Sequence, residues 1–157
     1  MTAMEINGLE LPSRFVQDLR SGRLRRERGS WPLREEKSAY GEPLETELGY
    51  VFPDVAAIQK ETDQLPDGYV CISVEEVDEY TRMFGTQPGE IPYFWDFSEI
   101  VCFAIAGDGA PFCFDFRENK QEPSVIWWAD AYWQRVARDY ESFIRLFDVP
   151  PRGRNGG

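Results

Sequence analysis

Five carboxylates, Asp96, Glu99, Asp108, Asp115 and Asp130, lie in the aromatic C-terminal half of the chain. Two acids held about 5–10 Å apart can hydrolyse a glycoside, one as proton donor and one as nucleophile or base. Clustered carboxylate oxygens can also hold Mg²⁺ or Ca²⁺. The spacing supports neither: there is no Asp-x-Asp pair and no EF-hand loop. These acids therefore read as solvated surface groups or as turn and cap residues. A carboxylate-dependent hydrolase stays a remote alternative. If several of the acids share a face, they make a surface for a basic partner.

The chain has no histidine. A Ser-His-Asp triad, a Cys-His pair and a His-based zinc site cannot be built. Cys71, Cys102 and Cys113 are odd in number, far apart and set in apolar runs, so they read as buried thiols of a reducing compartment. Gly107-Asp108-Gly109 lacks the Lys and Ser/Thr of a phosphate loop and reads as a turn. No residue set points to a cofactor, and no catalytic residue is assigned.

The densest aromatic set is Phe94, Trp95, Trp127, Trp128 and Trp133. Most of it is core. Neighbours in a strand face opposite ways, so one of Trp127 and Trp128 points to an exposed face or under the last helix. Exposed tryptophans anchor interfaces, and Trp128 is the candidate. Stacked bases are a poor alternative, because the net charge is −11. The Arg23–Arg28 run is short, interrupted by Glu27, and reads as a solvated loop.

The elements that position these groups follow from pattern. Leu11, Phe15 and Leu19 recur at helical spacing, and Gly22 is a natural stop. The stretch 31–52 reads as extended, with 44–52 a strand that has one wet face. Asp54 caps a helix from Val55 to about Leu65, which Pro66-Asp67-Gly68 ends. Tyr69–Ile72 reads as a short strand. Ser73 and Glu76 match a capping box for a helix from Val74 to Phe84. Ile100–Ala106 is apolar throughout and predicts a central strand buried on both faces. The next strand puts Phe112, Phe114 and Phe116 on one face, and Cys113, Asp115 and Arg117 on the other. Ser124–Trp128 is a third strand. Tyr132–Phe147 reads as a helix through Val136, Tyr140, Phe143, Ile144 and Phe147, with a break at Arg138-Asp139.

The 157 residues suit one domain, 1–149, and the Pro/Gly-rich residues 150–157 read as a disordered tail. There is no signal-peptide pattern and no apolar run long enough to span a bilayer. These features read as a soluble cytoplasmic protein that binds neither membrane nor nucleic acid. Strands joined by short connections pair antiparallel, so the class is α+β, a mainly antiparallel central sheet covered by helices.

The order of the C-terminal elements is distinctive. A strand ends in Ala106-Gly107-Asp108-Gly109; Phe112-Cys113-Phe114-Asp115-Phe116-Arg117 follows. Then come Val125-Ile126-Trp127-Trp128-Ala129-Asp130 and the stretch Val136-Ala137-Arg138-Asp139-Tyr140-Glu141-Ser142-Phe143-Ile144. This order resembles the SUKH superfamily, the group that contains the yeast cell-wall synthesis regulator domain and many bacterial immunity proteins. Leu11-Pro12 with Phe15 resembles the family's first helix. Residues 23–92 match nothing assignable. The resemblance implies a non-enzymatic binding domain, and more sharply an immunity protein that neutralises a basic, nuclease-type toxin. The alternative is a regulatory or scaffolding domain of the same fold. Candidate contacts are Asp96, Glu99, Asp108, Trp128 and Asp130. No oligomeric state is assigned.

Overall fold

The computed structural model describes residues 4–26, 29–69, 78–79, 82–83, 89–92, 94–129 and 132–152. Asn7 and Gly8 both take positive φ, the backbone of a tight hairpin turn, and join β1 (Glu5–Ile6) to β2 (Leu9–Glu10). Helix α1 (Ser13–Ser21) buries Phe15 and Val16 and ends at Gly22, whose φ of 81° is left-handed. After β3 (Trp31–Pro32) and β4 (Glu47–Val51) comes α2 (Val55–Gln64), capped by Asp54, whose carboxylate accepts the Ala57 amide at 2.9 Å. A 3₁₀ turn at Leu65–Asp67 closes that helix. The chain continues through β5 (Ile100–Ala106), β6 (Pro111–Asp115), β7 (Ser124–Trp128), β8 (Trp133–Ala137) and the short α3 (Tyr140–Ile144).

Strands β3 to β8 form one six-stranded antiparallel sheet in chain order. Both edges are covered. Outside β3, the Arg34 amide donates to the Leu146 carbonyl at 2.7 Å and the Asp148 amide to Pro32 at 2.9 Å. Outside β8, the Ile91 amide donates to Trp133 at 3.0 Å and the Arg135 amide to Gly89 at 2.9 Å. An unpaired edge is a template for another chain, and these segments remove it.

One face of the sheet carries Phe103, Phe112 and Phe114 and is packed by Phe15 of α1 and Phe143 of α3. Phe103 and Phe114 stack with centroids 4.0 Å apart, and all five rings are buried. The other face carries Cys102, Cys113, Ile126 and Trp133. Helix α2 joins it to β5, where Thr62 Oγ1 accepts the Cys102 amide at 3.0 Å. Cys102 and Cys113 lie opposite each other as buried free thiols.

The helix expected over Tyr132–Phe147 is corrected. Trp133–Ala137 is a strand paired with β7, and the helix begins only at Tyr140. The spacing of Val136, Tyr140, Phe143 and Phe147 fits a helix. The open ladder of β7, however, needs a partner, and the Trp128↔Trp133 register supplies one. The break at Arg138-Asp139 is real: Asp139 Oδ1 accepts the Ser142 amide at 2.8 Å. Asp115 is not a solvated acid but only 2% exposed. Arg117 chelates its carboxylate through two contacts of 2.8 Å. The expected strand Tyr69–Ile72 beyond its first residue, the Ser73/Glu76 capping box and Cys71 lie outside the described residues. Of the expected helix Val74–Phe84, residues 78–79 and 82–83 are described, and they are helical.

Candidate protein-binding surface

Asp108 and Trp128 lie at the same end of the sheet. Asp108 sits in the β5–β6 turn, where its Oδ1 accepts the Ala110 amide at 3.0 Å. The register Phe112↔Trp127 brings the end of β7 alongside Pro111. Trp128 is half-buried and packs edge-on against Tyr69 at 5.5 Å and Trp133 at 5.3 Å.

Glu99 lies at the opposite end of β5, about 23 Å away at roughly 3.3 Å per residue. It is ion-paired with Lys120. Asp96 is exposed beside it in sequence, and its Oδ1 accepts the Ser98 amide at 2.9 Å. That amide bond, followed by the Ser98 hydroxyl, holds the Asp96 carboxyl below its usual range. Asp130 lies outside the described residues. The described ones among the expected acids thus divide between two ends of the sheet and do not converge.

Residues that were not singled out from sequence complete the Asp108 end. The last turn of α2 and the 3₁₀ turn bring Glu61 and Asp67 to the rim of a hollow of about 360 Å³. Leu65, Tyr69, Cys102, Ile105 and Pro111 form its apolar lining. Burial pushes the Tyr69 phenol above its usual range; the Cys102 and Cys113 thiols and then the Glu61 and Asp108 carboxylates push the same way. No cation lines this hollow among the described residues. A Lys or Arg entering it would lay its methylene stem on Leu65 and Tyr69 and its charge among the rim acids. The available signals were Glu61 and Leu65 one helical turn apart and Asp67 inside the Pro-Asp-Gly break, but nothing in the sequence links them to Asp108.

Among the described residues, no group of three or more His, Cys, Asp or Glu side chains is placed to hold a metal ion. Among the same residues, no helix is long and apolar enough to cross a membrane.

A six-stranded antiparallel meander with helices packed on it is an α+β arrangement, consistent with the SUKH fold. The family model described as SMI1 / KNR4 family (SUKH-1) matches residues 8–146, and the chain belongs to that family. The match runs through 23–92, the segment where no resemblance was assignable from motifs. No curated protein and no solved structure matches the chain.

Proposed function

We propose that this SUKH-family chain is a non-catalytic immunity protein that binds and neutralises a nuclease-type toxin. The observation that carries the proposal is the pair Glu61 and Asp67 lining a hollow with no lining cation among the described residues, with Asp108 next in chain to its Gly109 wall, on a chain of net charge −11. A nuclease needs a basic cleft for its polyanionic substrate. An acidic partner is steered to that cleft by the same field and competes for it. A stable complex buries about 1,600 Å² in total, so the hollow is the anchor within a wider contact that takes in neighbouring sheet-end residues.

Co-expression with the products of adjacent genes, followed by pull-down at 50 and 500 mM salt (roughly, to span strong and weak screening), tests this. A basic nuclease-like neighbour is expected to co-purify at low salt, with its nuclease activity lost. Glu61→Lys with Asp108→Lys is expected to release it. Failure to bind any adjacent nuclease-like protein leaves the regulatory reading of the fold in its place.

A further inference from the structure

Within the basic run, expected as a solvated loop, the fold separates Arg23 from Arg25 and Arg26. Arg23 turns inward, donating to Asp18 at 2.8 Å and to the Pro150 carbonyl at 2.7 Å. Arg25 and Arg26 stay exposed and stand at a second cavity of about 190 Å³. Leu19, Leu24, Trp31, Tyr50, Val51 and Pro53 wall it. No carboxylate lines it among the described residues, and it shares no residue with the acidic hollow. The Arg26 guanidinium lies 5.4 Å from the centroid of the Trp31 ring.

Two backbone devices shape this cavity. The left-handed Gly22 ends α1 and lets the chain double back, which buries Leu24 and leaves Arg25 and Arg26 outside. A β-bulge between Leu48 and Tyr50 interrupts the pairing with β5. Gly49 lies so close to β5 that a Cβ there would come within 2.7 Å of the Ala106 carbonyl oxygen. The bulge re-aims Tyr50 outward, 49% exposed.

We propose that this cavity docks an acidic peptide segment of a partner protein. An apolar side chain of the segment enters between Trp31 and Tyr50, and its flanking carboxylates pair with Arg25 and Arg26. Charge complementarity selects this occupant. Guanidinium and carboxylate form charge-assisted, fork-shaped pairs. A short acidic segment feels mainly the charges within about 8–10 Å, Arg25 and Arg26 among them, because those beyond are screened. A long polyanion would feel the repulsion of the whole chain, at net charge −11. The cavity is several times the roughly 30 Å³ share of one liquid water, and its wall is mainly apolar. This site does not depend on the immunity reading.

The test is a random heptapeptide display library panned on the full chain and on an Arg25→Glu/Arg26→Glu variant. The enriched peptides are then titrated calorimetrically and by backbone amide NMR. Peptides with Asp or Glu flanking an aliphatic or aromatic residue are expected on the wild type. Charge reversal should weaken them at least about tenfold. Amide shifts should cluster at residues 22–26 and 49–51. Should the reversed variant misfold by circular dichroism, Arg25→Gln/Arg26→Gln replaces it with the same expectation. Absence of acidic enrichment, or equal affinity for the variant, overturns the proposal. So does saturable binding at these arginines by a single-stranded oligonucleotide, an anionic vesicle or a second copy of the chain in place of the peptides.

Discussion

Tyr140 Oη donates a 2.6 Å hydrogen bond to Asp18 Oδ2 across 122 positions of sequence. The pair ties α3 to α1 over the phenylalanine face of the sheet. Asp18 is 1% exposed. Its carboxylate also accepts from Arg23 at 2.8 Å and from two nitrogens of Arg152 at 2.9 and 3.1 Å. Arg152, from the C-terminal stretch, pairs with Glu141 as well.

Asp18→Ala removes the acceptor of all these donors. Stripping one member from a largely buried charge cluster costs about 3–5 kcal/mol. For a chain of this size that is a fall in Tm of about 10 °C or more. Scanning calorimetry at pH 7 measures it, and a Tm within two or so degrees of the wild type would remove Asp18 as the organiser of this face.

The same phenol predicts an alkaline transition. Burial, followed by the bond to Asp18, pushes the Tyr140 hydroxyl well above its usual range. An unfolded tyrosine loses its proton near pH 10. Above that pH the unfolded chain holds fewer protons at this site than the folded one, so stability falls as pH rises. The contribution is complete below about pH 10 and declines by about 1.4 kcal/mol per pH unit above it. Tyr140→Phe keeps the ring and deletes the titration. Tyr40 and Tyr69 are also raised but are common to both chains, so the difference isolates Tyr140. Urea midpoints from pH 8 to 11 should converge above about pH 10; parallel curves would contradict the assignment.

The central fold was legible where one residue pattern admits one structure. The all-apolar Ile100–Ala106 is a strand with six of seven residues buried, and the alternation of Phe112 and Phe114 with Cys113 and Asp115 matches the two faces of β6, with Phe116 buried just beyond it. Asp54 and Asp139 cap the helices they precede. Legibility failed where long-range pairing decides. Trp133–Ala137 carries a helical stripe into α3, yet it forms a strand because β7 lies beside it. The two-residue strands β1 and β2 are too short to show a period, and only Asn7-Gly8 marks their turn. The acidic hollow collects residues from α2, the 3₁₀ turn and the β5–β6 turn, and no local pattern encodes their meeting.

Two glycines near the bulge should respond differently to alanine. At Gly49 the added Cβ meets the Ala106 carbonyl, which is backbone at 2.7 Å and cannot move without shifting β5. At Gly107 its three nearest neighbours are all side-chain atoms of Glu47, which is exposed and can rotate away. Gly49→Ala is expected to cost about 2–3 kcal/mol and Gly107→Ala less than about 1 kcal/mol. Chemical denaturation of the two variants decides, and equal losses would mean that β4 gives way where β5 does not.

Asp115 poses the question of whether a buried carboxylate serves chemistry or architecture. Its oxygens take two contacts of 2.8 Å from Arg117 and one of 3.7 Å from Arg135, and its Oδ1 also accepts the Arg117 amide at 3.1 Å. Arg117 in turn lies 4.1 Å from the Phe94 ring centroid, which fastens the 94–97 segment to the sheet. A group so neutralised acts as a brace. Asp115→Asn keeps the shape and removes the charge, leaving two guanidiniums facing each other without their shared anion. The expected loss is about 2–4 kcal/mol. Arg117→Met alone strands the carboxylate with the more distant Arg135 and should cost a similar amount. Together the two substitutions should cost less than the sum of the singles by at least about 1 kcal/mol, because the double variant removes both ends of the pair. A double-mutant cycle on urea midpoints measures that coupling. Additive losses would show that the contacts contribute nothing as a pair, and the brace would have to lie elsewhere.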